Sequence, residues 1–316
     1  MRKRRNGKAV AALFVIAYLF FIGMMDYPYV ARWINDRKSA EIIAEYRRQA
    51  QKEEKILDRV WNEAVEWNRE MTPGTQIAYD AFGKKDTGET ETEETAGRKS
   101  RKGKDDGKKD GRRTYWDMLA VGDEGGAVMC TISIPAIDVS LPVYHGVADD
   151  VLQRGAGHIP WSSLPVGGEG THCCIAAHRG LPDRTMFTDL DLLKKGDLII
   201  LNVLNRTLAY EVTGTEVVEP DMVENLLLRE NDRRDLLTLV TCTPYGINTH
   251  RMYVHAERTE YDPEKVRENR PGISDWKAWL KLNWYKIATV ILLIAMILTV
   301  RSYLKSFQTE GKSGGV

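Results

Sequence analysis

Cys242 closes the apolar run Leu236, Leu237, Leu239 and Val240, and Thr243, Pro244, Tyr245 and Gly246 follow at once. A strand that stops on a thiol and breaks into a Pro/Gly turn lifts the sulfur out of the sheet and into a cleft. Nine residues on, Arg251 opens a second apolar run of Met252, Tyr253 and Val254, so pairing of the two strands sets a guanidinium beside the thiol. A thiol acts as nucleophile by ionising or by losing its proton on attack, and a basic or cationic neighbour eases both. Histidine is the usual partner, and His145, His158, His172, His178, His250 and His255 are available. His178 ends an apolar strand just before Arg179, Gly180, Leu181 and Pro182, which repeats the strand-then-turn setting of Cys242. His145 also follows a strand, whereas His172 and His255 read as surface or packing residues. The residue types predict thiol-based nucleophilic chemistry, with His178 ahead of His145 as proton carrier.

Such a site needs a scaffold of strands. From Ala127 the chain consists of short apolar runs separated by Gly, Pro and Asp, and strands are expected at 128–134, 139–144, 172–177, 198–203, 207–213, 215–218, 236–242 and 252–257. Eight short strands with this punctuation predict a mainly β domain, a closed barrel or a sandwich, rather than alternating β and α units. Short helices are expected at 149–153, 185–193 and 221–228. Upstream, residues 39–70 carry Ile42, Ile43, Tyr46, Ala50, Leu57, Val60, Trp61, Ala64 and Val65 at helical spacing, which predicts an amphipathic helix, in one piece or two, packed beside the main domain. Residues 84–113 contain no Val, Ile, Leu, Met or aromatic side chain, so they cannot bury a core and are expected to be a solvated linker.

The chain has 316 residues, with 45 basic and 45 acidic side chains, and this neutrality argues against nucleic acid as a main partner. Local charge is uneven. Arg2, Lys3, Arg4, Arg5 and Lys8 precede the uncharged stretch 9–25, which reaches the lower length limit for a membrane-spanning helix and lacks the small-residue cleavage site of a signal peptide. A second apolar run, 287–300, lies between Lys286 and Arg301, with Trp276, Trp279, Trp284 and Tyr285 upstream like an interfacial aromatic belt. Basic residues before the first run and after the second predict a two-pass membrane protein with both termini cytoplasmic and the domain between them outside. An exported domain can form disulfides. A bridge from Cys130 to Cys173 or Cys174 is compatible with that setting, but Cys173 and Cys174 adjoin one another in an apolar run and read as buried free thiols. No zinc-ligand spacing is present, and no metal or other cofactor is expected.

The string Thr241-Cys242-Thr243-Pro244-Tyr245-Gly246-Ile247-Asn248-Thr249-His250-Arg251 closely resembles the active-site signature of sortases, the cysteine transpeptidases of Gram-positive cell surfaces. Leu141-Pro142-Val143-Tyr144-His145-Gly146, Leu164-Pro165-Val166-Gly167-Gly168-Glu169-Gly170-Thr171-His172 and Ala177-His178-Arg179-Gly180-Leu181-Pro182 resemble the matching stretches of the class C, pilus-assembling members. The resemblance runs from about 127 to 259 and implies an eight-stranded sortase-type β-barrel with short helices, an N-terminal helical extension and two transmembrane helices. It implies a triad of His178, Cys242 and Arg251, with Thr241 helping to shape the oxyanion or substrate site. It implies cleavage of an LPXTG-type signal between Thr and Gly through a Cys242 thioester, then transfer to an amine. The partners implied are LPXTG-bearing pilin or surface proteins, an acceptor lysine of a pilin or a peptidoglycan precursor, and membrane lipid. Asp80-Ala81-Phe82 resembles the Asp-Pro-aromatic lid of class C members with Ala in place of Pro, so Asp80 and Phe82 are expected as a cleft-covering lid. A housekeeping-type sortase, a non-catalytic pilin-recruiting scaffold and a hydrolytic cysteine protease are the alternatives.

The chain is thus expected to divide into a basic tail and first span (1–26), an external helical region with the lid (27–82), a charged linker (83–113), the catalytic barrel (114–260), a juxtamembrane segment (261–286), a second span (287–300) and a cytoplasmic tail (301–316).

Overall fold

Eight strands form close to the apolar runs that predict them, with two differences. In the computed structural model the described residues are 2–51, 54–70, 114–120, 128–220, 233–270 and 276–313. The strands are β1 (Val128–Ile134), β2 (Val139–His145), β3 (Ala156–His158), β4 (His172–Ala176), β5 (Leu198–Val203), β6 (Arg206–Val218), β7 (Leu236–Thr243) and β8 (His250–Thr259). They close into a barrel in the order β1-β2-β3-β4-β7-β8-β6-β5, with β5 returning to β1. Closure leaves no unpaired edge strand among the described residues.

The first difference is β6, expected as two strands at 207–213 and 215–218. It is a single strand because the break at Thr213 and Gly214 is a bulge: pairing with β8 shifts register between Val212 and Gly214 and then continues. The second is β3, which has no β-forming side chains to announce it. A Cβ on Gly157 would stand 2.2 Å from the Gly146 carbonyl oxygen, and one on Gly155 would stand 2.5 Å from that of Pro142. Close approach of β3 to β2 therefore demands glycine, which weakens the strand signal. The helix expected at 149–153 is α3 (Asp149–Leu152), while 185–193 yields turns and one 3₁₀ turn at Leu190–Leu192. The helix expected at 221–228 lies outside the described residues.

Apart from α3, the helices are α1 (Arg2–Gln49), α2 (Glu54–Glu70), α4 (Pro263–Glu268) and α5 (Trp276–Ser313). The chain divides into two compact units, residues 1–36, 182–184 and 271–316 in one, and 37–181 with 185–270 in the other. In the first unit α1 and α5 run antiparallel. Phe14 packs edge-on to Tyr303, Tyr18 hydrogen-bonds Thr299, Thr289 Oγ1 donates to Asp26 Oδ1 at 2.7 Å, and Tyr29 stacks on Tyr285 with centroids 3.6 Å apart. One residue number rises as the other falls, so the two helices form a hairpin pair. Both contain a stretch long and apolar enough to cross a membrane, and almost none of it is buried inside the protein.

In the second unit, Leu57 and Ala64 of α2 join the core cluster of the barrel, and Val60, Trp61 and Val65 pack against it. Both faces of β1 are buried from Val128 to Ile134, with Ser133 only partly so. Tyr46, at the end of α1, has a buried hydroxyl that donates to Met129 O at 2.9 Å and accepts from the Leu204 N–H at 2.6 Å. Tyr46→Phe strips both backbone groups of their partner, and an unpaired buried group costs about 1–3 kcal/mol. A thermal unfolding scan of the purified variant is expected to give a midpoint several degrees lower, and an unchanged midpoint would mean that water reaches the two groups.

Candidate active site

The turn between β7 and β8 sets the register of the site. Gly246 and Asn248 have positive φ values of 74° and 61°, and the Ile247 and Asn248 N–H groups both donate to Pro244 O, at 3.1 and 3.0 Å. Folded back this way, β8 pairs with β7 so that Arg251 is the direct partner of Cys242. Arg251 Nη1 donates to the carbonyl oxygens of Asn248 and His250, both at 3.2 Å, which ties the guanidinium to the same turn.

Cys242 is half-buried. Burial pushes its thiol above the ordinary cysteine range and the positive charge of Arg251 pulls it back down. Removing that charge leaves burial unopposed. In Arg251→Met the iodoacetamide alkylation profile of Cys242 is therefore expected to move to higher pH, with slower labelling at neutral pH. Peptide-mapped mass spectrometry reads this out, and a profile unmoved or moved downward contradicts the electrostatic role.

His178 follows β4, which lies parallel to β7 with Ala176 opposite Val240. The alignment continues past the strand. The Ala177 N–H donates to Val240 O at 3.1 Å, Thr241 Oγ1 donates to Ala177 O at 2.8 Å, and Arg179 Nη1 donates to Thr243 Oγ1 at 3.0 Å. His178 is thus held level with Cys242, one strand away on the side opposite Arg251. The three residues singled out in the sequence come together at the same end of three adjacent strands. Thr241 is fully buried and its hydroxyl is committed to Ala177 O, so the side chain acts on the site by holding the two strands in line. Asp80 and Phe82 lie outside the described residues.

Two site residues escaped the sequence. Asp149, the first residue of α3, brings Oδ1 to 3.7 Å from His178 Nε2. Its side chain is 83% exposed, so the pair adds little stability, but it presents a carboxylate to the imidazole. Arg179 is the other, with a side chain only 8% exposed. An acidic residue on a short helix and a basic residue beside a histidine look like ordinary surface charges, and only the fold brings them to the site.

Of the five remaining histidines, His250 pairs with Thr243 at the start of β8 and its ring meets the Thr249 hydroxyl at 2.9 Å, and the other four are engaged elsewhere. His158 is fully buried, and burial lowers it to about 4, so it stays neutral with Nε2 against Ser163 O. His145 Nε2 bonds Met118 O at 2.7 Å, and His172 and His255 share the Thr238 hydroxyl. Cys130, Cys173 and Cys174 are free and buried, and burial pushes all three thiols far above the ordinary range. A half-buried thiol flanked by an imidazole and a guanidinium suits acyl transfer, in which sulfur attacks a carbonyl, the ring moves protons and the cation steadies negative charge.

Comparison with known proteins supports that chemistry. The Sortase domain family model matches residues 132–259. A sortase A of Streptococcus agalactiae is 31% identical over 129 residues, which is 40% of this chain and 51% of that protein, so the chain spans about half the length of that curated relative. Among solved structures, the sortase C of Streptococcus pneumoniae, studied for catalysis and pilin substrate specificity, is 37% identical. It superposes with a TM-score of 0.55, covering 70% of this chain and 97% of that one. Sortase C1 of Streptococcus agalactiae is 33% identical with the same TM-score, covering 70% of this chain and all of that one.

Proposed function

This chain belongs to the sortase family, and from that premise we propose that it is a membrane-anchored cysteine transpeptidase that joins pilin subunits covalently. Cys242 Sγ attacks the carbonyl between Thr and Gly of an LPXTG-type sorting signal. Arg251 donates hydrogen bonds to the substrate backbone or to the oxyanion of the tetrahedral intermediate. The proton given up by the Cys242 thiol passes through His178 to the glycine amine as the Thr–Gly C–N bond breaks, leaving the substrate as a thioester on Cys242. His178 then takes a proton from an incoming lysine amine, which displaces the sulfur, forms the new amide and frees the thiol.

One observation carries this reading above the others: the β7–β8 register pairs Cys242 with Arg251 while the β4–β7 contacts hold His178 alongside. The likeness to two sortase C structures favours pilin over cell-wall substrates. The antiparallel pairing of α1 and α5 favours a two-pass anchor with both termini on the basic, cytoplasmic side and the barrel outside. A second reading, a housekeeping-type sortase that transfers surface proteins to a peptidoglycan amine, draws on the match to a sortase A.

The test incubates the full-length protein in detergent with an LPXTG peptide, alone, with a lysine-bearing pilin peptide, or with a peptidoglycan-precursor amine. Intact mass spectrometry follows the adduct on Cys242. Conversion by the lysine peptide supports pilus assembly and conversion only by the peptidoglycan amine supports wall anchoring. Loss to water alone supports a protease. The absence of any adduct, with Cys242 still open to alkylation, supports a scaffold.

A further inference from the structure

We propose that Arg179 is a positioning residue: a buried strut from the histidine loop to the strand end that carries the nucleophile, setting the distance between His178 and Cys242. The inference rests on the reading of that pair as the reacting groups. Arg179 Nη1 donates to Thr243 Oγ1 at 3.0 Å, and Nη2 lies 3.0 Å from Asp191 Oδ1. One guanidinium thereby joins the residue after the histidine to the residue after the thiol, and anchors both to the 3₁₀ turn Leu190–Leu192. On the other flank, Thr241 Oγ1 donates to Ala177 O, joining the residues that precede the same two groups. The reacting pair is bracketed on both sides by a side-chain hydrogen bond.

Packing does not account for an arginine here. The side chain is 8% exposed, and its Nε is buried without a hydrogen-bond partner among the described residues. A buried charge with an unpaired donor costs stability, and an apolar side chain fills such a space more cheaply. What only the planar fork supplies is two donors in a fixed relation, aimed at two partners at once. The neighbouring contacts support this role. Gly180, at φ 85°, lies against the Tyr245 ring, where an added Cβ would stand 3.3 Å from it, and the Phe187 N–H donates to His178 O at 3.0 Å. The histidine loop therefore packs directly against the β7–β8 turn.

The test uses the full-length protein in detergent and compares Thr243→Val, which deletes the acceptor at constant shape, with Thr243→Ser, which keeps it, and with Arg179→Met. His178→Gln serves as the reference for a lost imidazole. The first readout needs no peptide: the pH profile of Cys242 alkylation by iodoacetamide, mapped by mass spectrometry. The expected result is that Thr243→Val and Arg179→Met move the profile from that of the wild type onto that of His178→Gln, while Thr243→Ser stays with the wild type. The second readout is turnover of the LPXTG peptide, where kcat is expected to fall on the order of 10²-fold for Thr243→Val, with KM little changed, as for a misplaced catalytic group. The proposal is overturned if the Thr243→Val profile superposes on the wild type, if Thr243→Ser shifts as far as Thr243→Val, or if His178→Gln itself leaves the profile unmoved. A normal set of profiles with no peptide turnover even in the wild type sinks the substrate reading and leaves the strut standing.

Discussion

Cys242→Ala removes the acyl-enzyme altogether: incubated with an LPXTG peptide and a lysine acceptor, the variant gains no mass and yields no joined product. The expected fall in turnover is at least ~10⁴-fold, the scale on which nucleophile loss acts in enzymes with covalent intermediates. No other thiol can stand in. Cys130 and Cys173 are buried in the main core cluster and Cys174 in a second cluster on the other face of β4, and burial holds each of them protonated. The fold is expected to survive, because Cys242 is half-buried at a strand end and the alignment of the site rests on its neighbours Thr241 and Thr243. An unchanged melting profile beside lost transfer is the expected pair of results. If the protein assembles pili as proposed, the same substitution in cells is expected to abolish the pilus polymer, whereas a recruiting scaffold would tolerate it. Product formed by the variant, with an adduct mapped to another residue, would end the assignment of Cys242.

His178→Gln is expected to be the next most damaging change, lowering thioester formation and amine transfer by ~10²–10⁴, the usual worth of a placed acid or base. Glutamine keeps a polar side chain of similar reach beside Asp149 but cannot carry a proton between two reacting amines. The loss should therefore appear in kcat for both half-reactions, with KM for the peptide little changed. At pH values high enough to ionise the thiol directly, iodoacetamide should still label Cys242 at close to the wild-type rate, since alkylation then needs no proton carrier. Equal losses in labelling and transfer at every pH would instead indicate that His178 supports the structure around the thiol rather than the chemistry.

Much of this site is legible in the sequence because its geometry is local. The Cys242–Arg251 pairing follows from the length of one turn and the punctuation Pro244, Tyr245, Gly246. His178 is legible to the extent that its strand end looks like that of Cys242, and resemblance to a family selects it over His145. The strut and the Asp149 carboxylate are not legible, since each is a contact between side chains far apart in the chain with no periodic signature. Arg179 and Thr243, 64 residues apart, meet because β4 and β7 are parallel neighbours, which no local pattern announces. Strand prediction failed on both sides of the same rule. Gly214 in β6 looked like a turn and is a bulge, while the glycines around β3 hid a strand whose crowding requires them.

The burial of three of the four thiols also decides how the protein meets oxidants. Peroxide or hypochlorite reaching the protein finds one thiol that is not fully buried, Cys242. Oxidation of Cys242 to the sulfenic acid silences the enzyme in a single step, and no second cysteine at the surface can capture that species as an internal disulfide. Recovery then depends on a small thiol arriving from solution, and without one the path leads on to the irreversible sulfinic acid. Activity is thereby tied to the redox state of the surroundings through a single atom.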